Sequence, residues 1–240
     1  MNEDFDGKVI LVSGASRGLG EALVLGFAKK KALVAFLSRD KGRLKNLSAT
    51  LETIHAQYIY QAFDIRDEVA VKQFITEVTS QWKKIDVLAN NASVLGPRAD
   101  IASYPLSEWN DVLDINITGT FLLTKYVLPI MENQRSGSII NVSSSVGRAG
   151  RARWGAYAVS KFGIEGLTQV LADEVKHYGI RVNSVNPGKM ATEMRRVAYP
   201  EEDQSKLKKP EDILDVFFYL ASGQSKNVTG KQFDAQHFQV

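Results

Sequence analysis

The chain contains no cysteine, which excludes a disulfide framework, a thiol nucleophile and a zinc–thiolate site. Its three histidines, His55, His177 and His237, lie too far apart in sequence to suggest a metal cluster. No apolar run approaches the ~18 residues needed to cross a bilayer. The acidic, polar start MNEDFDG does not read as a signal peptide. No charge of one sign dominates: 30 basic residues against 27 acidic leave +3, too balanced to point to nucleic acid or a membrane surface. Nor is there a basic stripe with interleaved aromatics, an internal repeat, a low-complexity tract or a linker. The expectation is a cytoplasmic protein without nucleic-acid or membrane partners.

The 240 residues, 44% apolar and 24% charged, suffice to bury one substantial core. Short apolar runs alternate with stretches of helical period. KVILVS (8–13), ALVAFLS (32–38), YIYQAF (58–63), KIDVLANN (84–91), GSIINVSS (137–144) and GIRVNSVN (179–186) read as strands. Helical patterning occupies about 18–30, 43–55, 67–82, 107–132 and 155–177, and PEDILDVFFYLAS (210–222) forms a further helix with Pro210 in its first turn. Two-sided apolar strands alternating with helices imply a parallel sheet covered on both faces, hence one doubly wound α/β domain over 1–240. Residues 195–210 lack apolar rhythm and read as a surface excursion on the substrate side, within about 190–210.

Immediately after the first strand comes SGASRGLG (13–20), then a helix. Gly14, Gly18 and Gly20 allow a tight turn and close backbone approach to a ligand. The following helix offers free N–H groups to a pyrophosphate. The spacing is G-x-x-x-G-x-G rather than the common dinucleotide fingerprint, but its place at the first strand–helix junction is where such sites sit. At the end of strand two, where an NAD site carries an acid for the ribose, the chain reads LSRD: Ser38 replaces the acid and Arg39 follows. A guanidinium pairs with a 2′-phosphate that a carboxylate would repel, and Arg17 in the glycine turn can reach the same group. Asp40 falls too late for the ribose. The prediction is NADP(H) in preference to NAD(H).

Tyr157 and Lys161, in YAVSK, are four residues apart on a helical stretch and so share a face, with Ser144 at the preceding strand end. Alone, such a pair is ordinary helix surface. With Ser144 and a dinucleotide turn it becomes a proton-transfer device. A nearby ammonium favours the phenolate, and lowering a tyrosine pKa from ~10 to ~7 takes about 4 kcal/mol. Tyr157 would exchange a proton with the substrate oxygen, and Ser144 would hydrogen-bond that oxygen.

These motifs resemble the short-chain dehydrogenase/reductase family, and within it the 3-oxoacyl-carrier-protein reductases. The similarity runs from about Gly7 to Gln236 and rests on GASRGLG (14–20), Asp64, NNAS (90–93), Asn116–Gly119, Ser144, YAVSK (157–161) and PGKMAT (187–192). It implies a Rossmann domain with a mostly parallel, seven-stranded sheet, and an oxidoreductase moving hydride between nicotinamide and a carbonyl or alcohol. It implies that Asn116 holds a water linking Lys161 to solvent, and that Lys161 also binds the nicotinamide ribose. Ser16, Leu19 and the glycines would cradle the pyrophosphate, Asp64 and Ile65 flank the adenine, and Asn90 lie along a ribose. Pro187, Gly188, Met190 and Thr192 would meet the nicotinamide end, although Thr192 also suits a helix N-cap. By the same resemblance the helices at 107–132 and 155–177 pair with copies of themselves in a homotetramer or dimer.

The chain departs from the family pattern in places. Ser93 stands where NNAG ends in glycine, so positive φ is not expected there. FDAQHF replaces the usual DGG near the C-terminus, leaving local packing there in question. Arg148, Arg151 and Arg153 precede Tyr157 and either attract an anionic substrate or are plain loop charges. Val94, Leu95, Ser145, Val146 and Trp154 are expected to line a mixed pocket. An alternative function, a cofactor-binding regulator that has lost its chemistry, is opposed by the intact Ser144, Tyr157 and Lys161.

Overall fold

A computed structural model describes residues 5–239. Each of the six apolar runs contains a strand, β1 (Val9–Ser13), β2 (Leu33–Ser38), β3 (Tyr58–Ala62), β4 (Val87–Asn90), β5 (Gly137–Val142) and β6 (Ile180–Asn186), and a seventh, β7 (Gln232–Asp234), follows outside them. They form one sheet in the order β3-β2-β1-β4-β5-β6-β7, every pair parallel. The sheet is thus wholly rather than mostly parallel, and β7, within the stretch that departs from the family pattern, is its short seventh strand.

β1 shows why the strands are apolar on both sides. Ile10 and Val12 face one core, while Val9 and Leu11 face the other. The first core is closed by helices α1 (Gly18–Lys29) and α2 (Lys41–Thr53), and by the late helix 215–221 through Phe217 and Leu220. In it, Phe27 meets Phe5 and Phe218 edge-on at 5.2 and 5.1 Å, each such pair adding about 0.5–1.5 kcal/mol beyond burial. The second core is closed by α3 (Glu68–Trp82), through Phe74 and Val78, and by the helices at 119–134 and 155–175.

The helical span expected at 107–132 is realised in three pieces: α4 (Leu106–Leu113), a π turn at Asp114–Thr118, and α5 (Gly119–Gln134). The span at 155–177 is α6 (Gly155–Val175). The stretch read as a bare excursion is more structured than its composition suggests. It begins with α7 (Glu193–Ala198), and its base is closed where Met190 bridges Lys208 and Ala191 N–H donates to the Lys208 carbonyl at 2.9 Å. Ala198 is buried and Tyr199 packs on Trp154 at 6.0 Å. The last helix is a 3₁₀ turn, Pro210–Ile213, running into α8 (Asp215–Ala221). Among the described residues no helix is long and apolar enough to cross a membrane.

Candidate active site

The chain reverses direction across the sheet between β1 and β4, and a cleft of about 670 Å³ opens at the carboxyl ends of these strands. At its floor lies the glycine turn. Gly18 has φ +58°, in the left-handed region. Gly20 packs so tightly that a Cβ there would lie 2.2 Å from the Gly14 carbonyl oxygen and 2.6 Å from Asn91 Nδ2. Asn91 holds the turn by donating from Nδ2 to the Ser13 and Gly14 carbonyls at 3.0 and 3.1 Å. Ser16 and Ser38 join the turn to β2 through a 2.9 Å bond between their hydroxyls.

Gly14, Ser16, Arg17, Gly18 and Leu19 therefore line the cleft floor, with Ser38, Arg39 and Ile65 at its far end. Asp40, too late for the ribose, accepts from Arg43 N–H at 3.0 Å and caps α2. Pro187, Met190 and Thr192 line the near end, and the Thr192 hydroxyl also caps α7, accepting from Arg195 N–H at 3.2 Å. Gly188 opens instead on a neighbouring cavity of about 750 Å³. The buried hydroxyls of Ser93 and Ser143 also line the cleft and find no partner among the described residues, as suits walls built for a polar ligand. Glycine backbone at a helix start, three arginines at the outer end and two free hydroxyls fit a phosphorylated dinucleotide.

Asn90, Asp64 and Asn116 do not line the cleft. Asn90 is buried away from the cleft, donating from Nδ2 to Thr124 and Asn141 at 3.1 and 2.9 Å; the last strand residue points into the sheet interior, and the next one, Asn91, faces the turn. Asp64 is not on the cleft wall. It is gripped by Arg66 (2.8 Å), which holds its carboxyl below the usual carboxylate range, and lies 3.7 Å from Arg39. Asn116, in the π turn, is buried; its Oδ1 accepts from Val94 N–H at 2.8 Å, while Nδ2 donates to the Val94 carbonyl and the Ser160 hydroxyl at 3.0 and 2.9 Å. Its side chain thus ties the β4 loop to α6.

Tyr157 and Lys161 occupy one face of α6 and line the cleft, whereas Ser144 lines the neighbouring cavity. Ser144 stands close enough to the Tyr157 phenol to act on its acidity, so the pair marks the partition between the two spaces. Lys161 Nζ lies 5.5 Å from the Tyr157 ring centroid and donates to the Val142 carbonyl at 2.8 Å. The electrostatics differ from the sequence expectation. Burial pushes the Tyr157 phenol up to about 12, against a smaller lowering by Ser144. Burial likewise pulls the Lys161 ammonium down to about 8, with Glu165 opposing. A neutral phenol thus stands beside a destabilised ammonium, and Lys161 is not among the groups that lower Tyr157.

The second cavity bears Ser145, Val146 and Trp154 beside Ser144, as expected; Val94 lines the cleft instead, and Leu95 packs against the Trp154–Tyr157 cluster. Of the three arginines before Tyr157, Arg148 is consumed by structure: it pairs with buried Glu165 (3.3 Å) and with Asp234 (3.0 Å). Arg153 donates to the Arg98 carbonyl at 3.1 Å, and Arg151 alone lines the cavity. Gln236 clamps the 187–189 loop by donating to the Pro187 and Lys189 carbonyls at 2.9 and 3.0 Å, which answers the packing question raised by FDAQHF. Ser93 is not among the positive-φ residues, as expected. Sequence reasoning missed Arg43 and Glu193, both on the cleft wall. The only sequence signal for Arg43 was its position one turn after Arg39.

A parallel sheet with this crossover, a glycine turn at the first strand and a Ser–Tyr–Lys set at its carboxyl edge define a dinucleotide-dependent oxidoreductase architecture. A short chain dehydrogenase profile matches residues 8–203, and the chain belongs to that family. It is 38% identical over 232 residues to the oxidoreductase YciK of Escherichia coli (strain K12), covering 95% of this chain and 92% of the relative. It is 35% identical over 234 residues to the 3-oxoacyl-[acyl-carrier-protein] reductase FabG of Thermotoga maritima, covering 94% and 95%. A solved short chain dehydrogenase from Shigella flexneri 2a, complexed with NADP, superposes with a TM-score of 0.94 at 37% identity, covering 98% of this chain and all of that one.

Proposed function

We propose that the protein is an NADP(H)-dependent oxidoreductase of carbonyl or alcohol substrates, with Tyr157 as general acid/base. The observation that carries this reading is the placement of Tyr157 and Lys161 on the wall of a dinucleotide-shaped cleft, with Ser144 across the partition on a second, partly aromatic cavity. The cofactor preference rests on Arg17, Arg39 and Arg43 at the outer cleft and on the absence of an acid at position 38; the Shigella flexneri relative complexed with NADP supports it.

When bound, the dinucleotide supplies or takes up hydride. Arg17, Arg39 and Arg43 would hold its phosphate end, and the Gly18–Leu19 backbone N–H groups would donate to the pyrophosphate. Ser144 hydrogen-bonds the substrate oxygen and stabilises the charge that develops on it. Tyr157 delivers a proton to that oxygen during reduction and removes one during oxidation. Lys161 supplies positive charge behind the phenol, and its 2.8 Å bond to Val142 keeps the ammonium on the cleft side of β5. Asn116 fixes the Val94 loop that walls the nicotinamide end, a positioning role through its side chain.

NADPH oxidation against a panel of ketones tests the reading. Tyr157→Phe should lower kcat by at least ~10²-fold while leaving NADPH affinity nearly unchanged. Wild-type turnover in that variant would refute the mechanism and favour a regulator that binds cofactor without chemistry. Exposed Phe121, Val159, Phe162 and Val170 on α5 and α6 further support self-association through these helices, and a solution mass of 26.6 kDa would contradict it.

A further inference from the structure

Three arginines reach the outer cleft from separate elements: Arg17 from the glycine turn, Arg39 from the end of β2 and Arg43 from the first turn of α2. Arg39 has Asp64 at 3.7 Å. Arg17 and Arg43 share an acid delivered from far along the chain. Glu193, the first residue of α7, sets Oε2 2.5 Å from Arg17 Nη1 and Oε1 2.8 Å from Arg43 Nη1. Two guanidiniums, one on each oxygen of a single anion, is the arrangement arginines also offer to a phosphate monoester. The acid crosses the cleft to get there: Thr192 lies against Gly18 of the turn, and Glu193 itself lines the cleft.

Resting on the NADP(H) reading above, we propose that Glu193 is an internal stand-in for the 2′-phosphate of the cofactor and thereby sets how strongly that phosphate is selected. The three side chains are 41–58% exposed, so the clasp is weak. A 2′-phosphate brings nearly two negative charges near neutral pH against the single charge of a carboxylate, and so takes Arg17 and Arg43 from it. A dinucleotide with a free 2′-hydroxyl has nothing to exchange and leaves the clasp closed. Displacement also unties α7, whose far end supplies Ala198 and leads to Tyr199 on the wall of the second cavity. Occupancy of the phosphate seat is thereby linked to the position of the substrate wall.

The test compares dissociation constants of NADPH, NADH and 2′,5′-ADP for wild type and Glu193→Gln by calorimetry, with hydrogen exchange of residues 192–199. The last probe carries the phosphate but no nicotinamide. Glu193→Gln should tighten NADPH and 2′,5′-ADP about fivefold and NADH less than twofold. In wild type, 2′,5′-ADP should speed exchange in α7, whereas 5′-AMP should not. An unchanged NADH-to-NADPH ratio in the variant, or α7 exchange indifferent to 2′,5′-ADP, would overturn the role of Glu193 while leaving the cofactor reading intact. Equal binding of NADH and NADPH by wild type would remove the cofactor reading itself, and the proposal with it.

Discussion

Lys161→Met separates the two charges on which proton transfer by Tyr157 depends. Without dinucleotide the phenol sits at about 12. Bringing it to near 7 takes about five units, or roughly 7 kcal/mol at ~1.36 kcal/mol per unit. A unit charge ~4 Å away, at an effective dielectric constant of ~20, supplies about 4 kcal/mol. One cation therefore leaves the phenol near ~9, and two are required. The chain provides one only if Lys161, whose Nζ lies 5.5 Å from the ring centroid and does not lower the phenol from there, moves to within ~4 Å of its oxygen in the ternary complex, and the oxidised nicotinamide ring provides the other. In Lys161→Met only the second remains. The pH profile of kcat for alcohol oxidation, which reports groups in the ternary complex, should move its midpoint up by about two to three units. The assay is NADP⁺-dependent oxidation followed across pH for wild type and variant, with Tyr157→Phe as the blank. If the variant keeps the wild-type midpoint and only KM rises, Lys161 merely holds the ribose and the electrostatic reasoning fails.

The same buried ammonium has a consequence for folding. Its folded pKa of about 8 lies below the ordinary lysine value of 10.5, so the folded state loses its proton first. Stability of the unliganded protein should rise between about pH 8 and pH 10.5, where the unfolded chain binds more protons. Lys161→Met should accordingly be the more stable protein at pH 7, by up to roughly 3 kcal/mol less the lost Val142 bond, with the advantage fading above about pH 10; thermal melts of both proteins at the two pH values decide this. Arg148 and Arg151 should separate cleanly. Arg148→Ser removes the partner of Oε1 on buried Glu165, whose Oε2 still accepts from Ser184 and Gln232, and should lower the melting temperature by several degrees, at a cost of about 1–3 kcal/mol. Arg151→Ser should melt like wild type but raise KM for carboxylate-bearing ketones; an unchanged KM would leave Arg151 a plain loop charge.

Much of the architecture was legible because it is local. Short, continuous apolar runs and period-3.6 patterns mark six strands and most helices, and the glycine turn and the Tyr157–Lys161 spacing need only neighbours in sequence. What the sequence left open was where three side chains find their partners. Asn90, Asp64 and Asn116 were assigned by motif, but their side chains follow partners such as Asn141, Arg66 and Val94, which the fold chooses. The rhythm of 195–210 was weak because its order comes from single polar ties rather than a repeating apolar face, among them Arg195 on Glu202 at 2.5 Å and the Met190–Lys208 bridge.

By itself the sequence determined the period of each element, the residue types at the turn and the spacing that puts a phenol and an amine on one helical face. Those are properties of a few consecutive residues and their backbone geometry. The tertiary structure alone decided that Glu193 reaches Arg17 and Arg43, 176 and 150 positions away, and that Arg148 serves Glu165 rather than a ligand. It also decided the sense in which Tyr157 and Lys161 titrate, because desolvation is a property of what packs around a group and no single stretch of chain contains it.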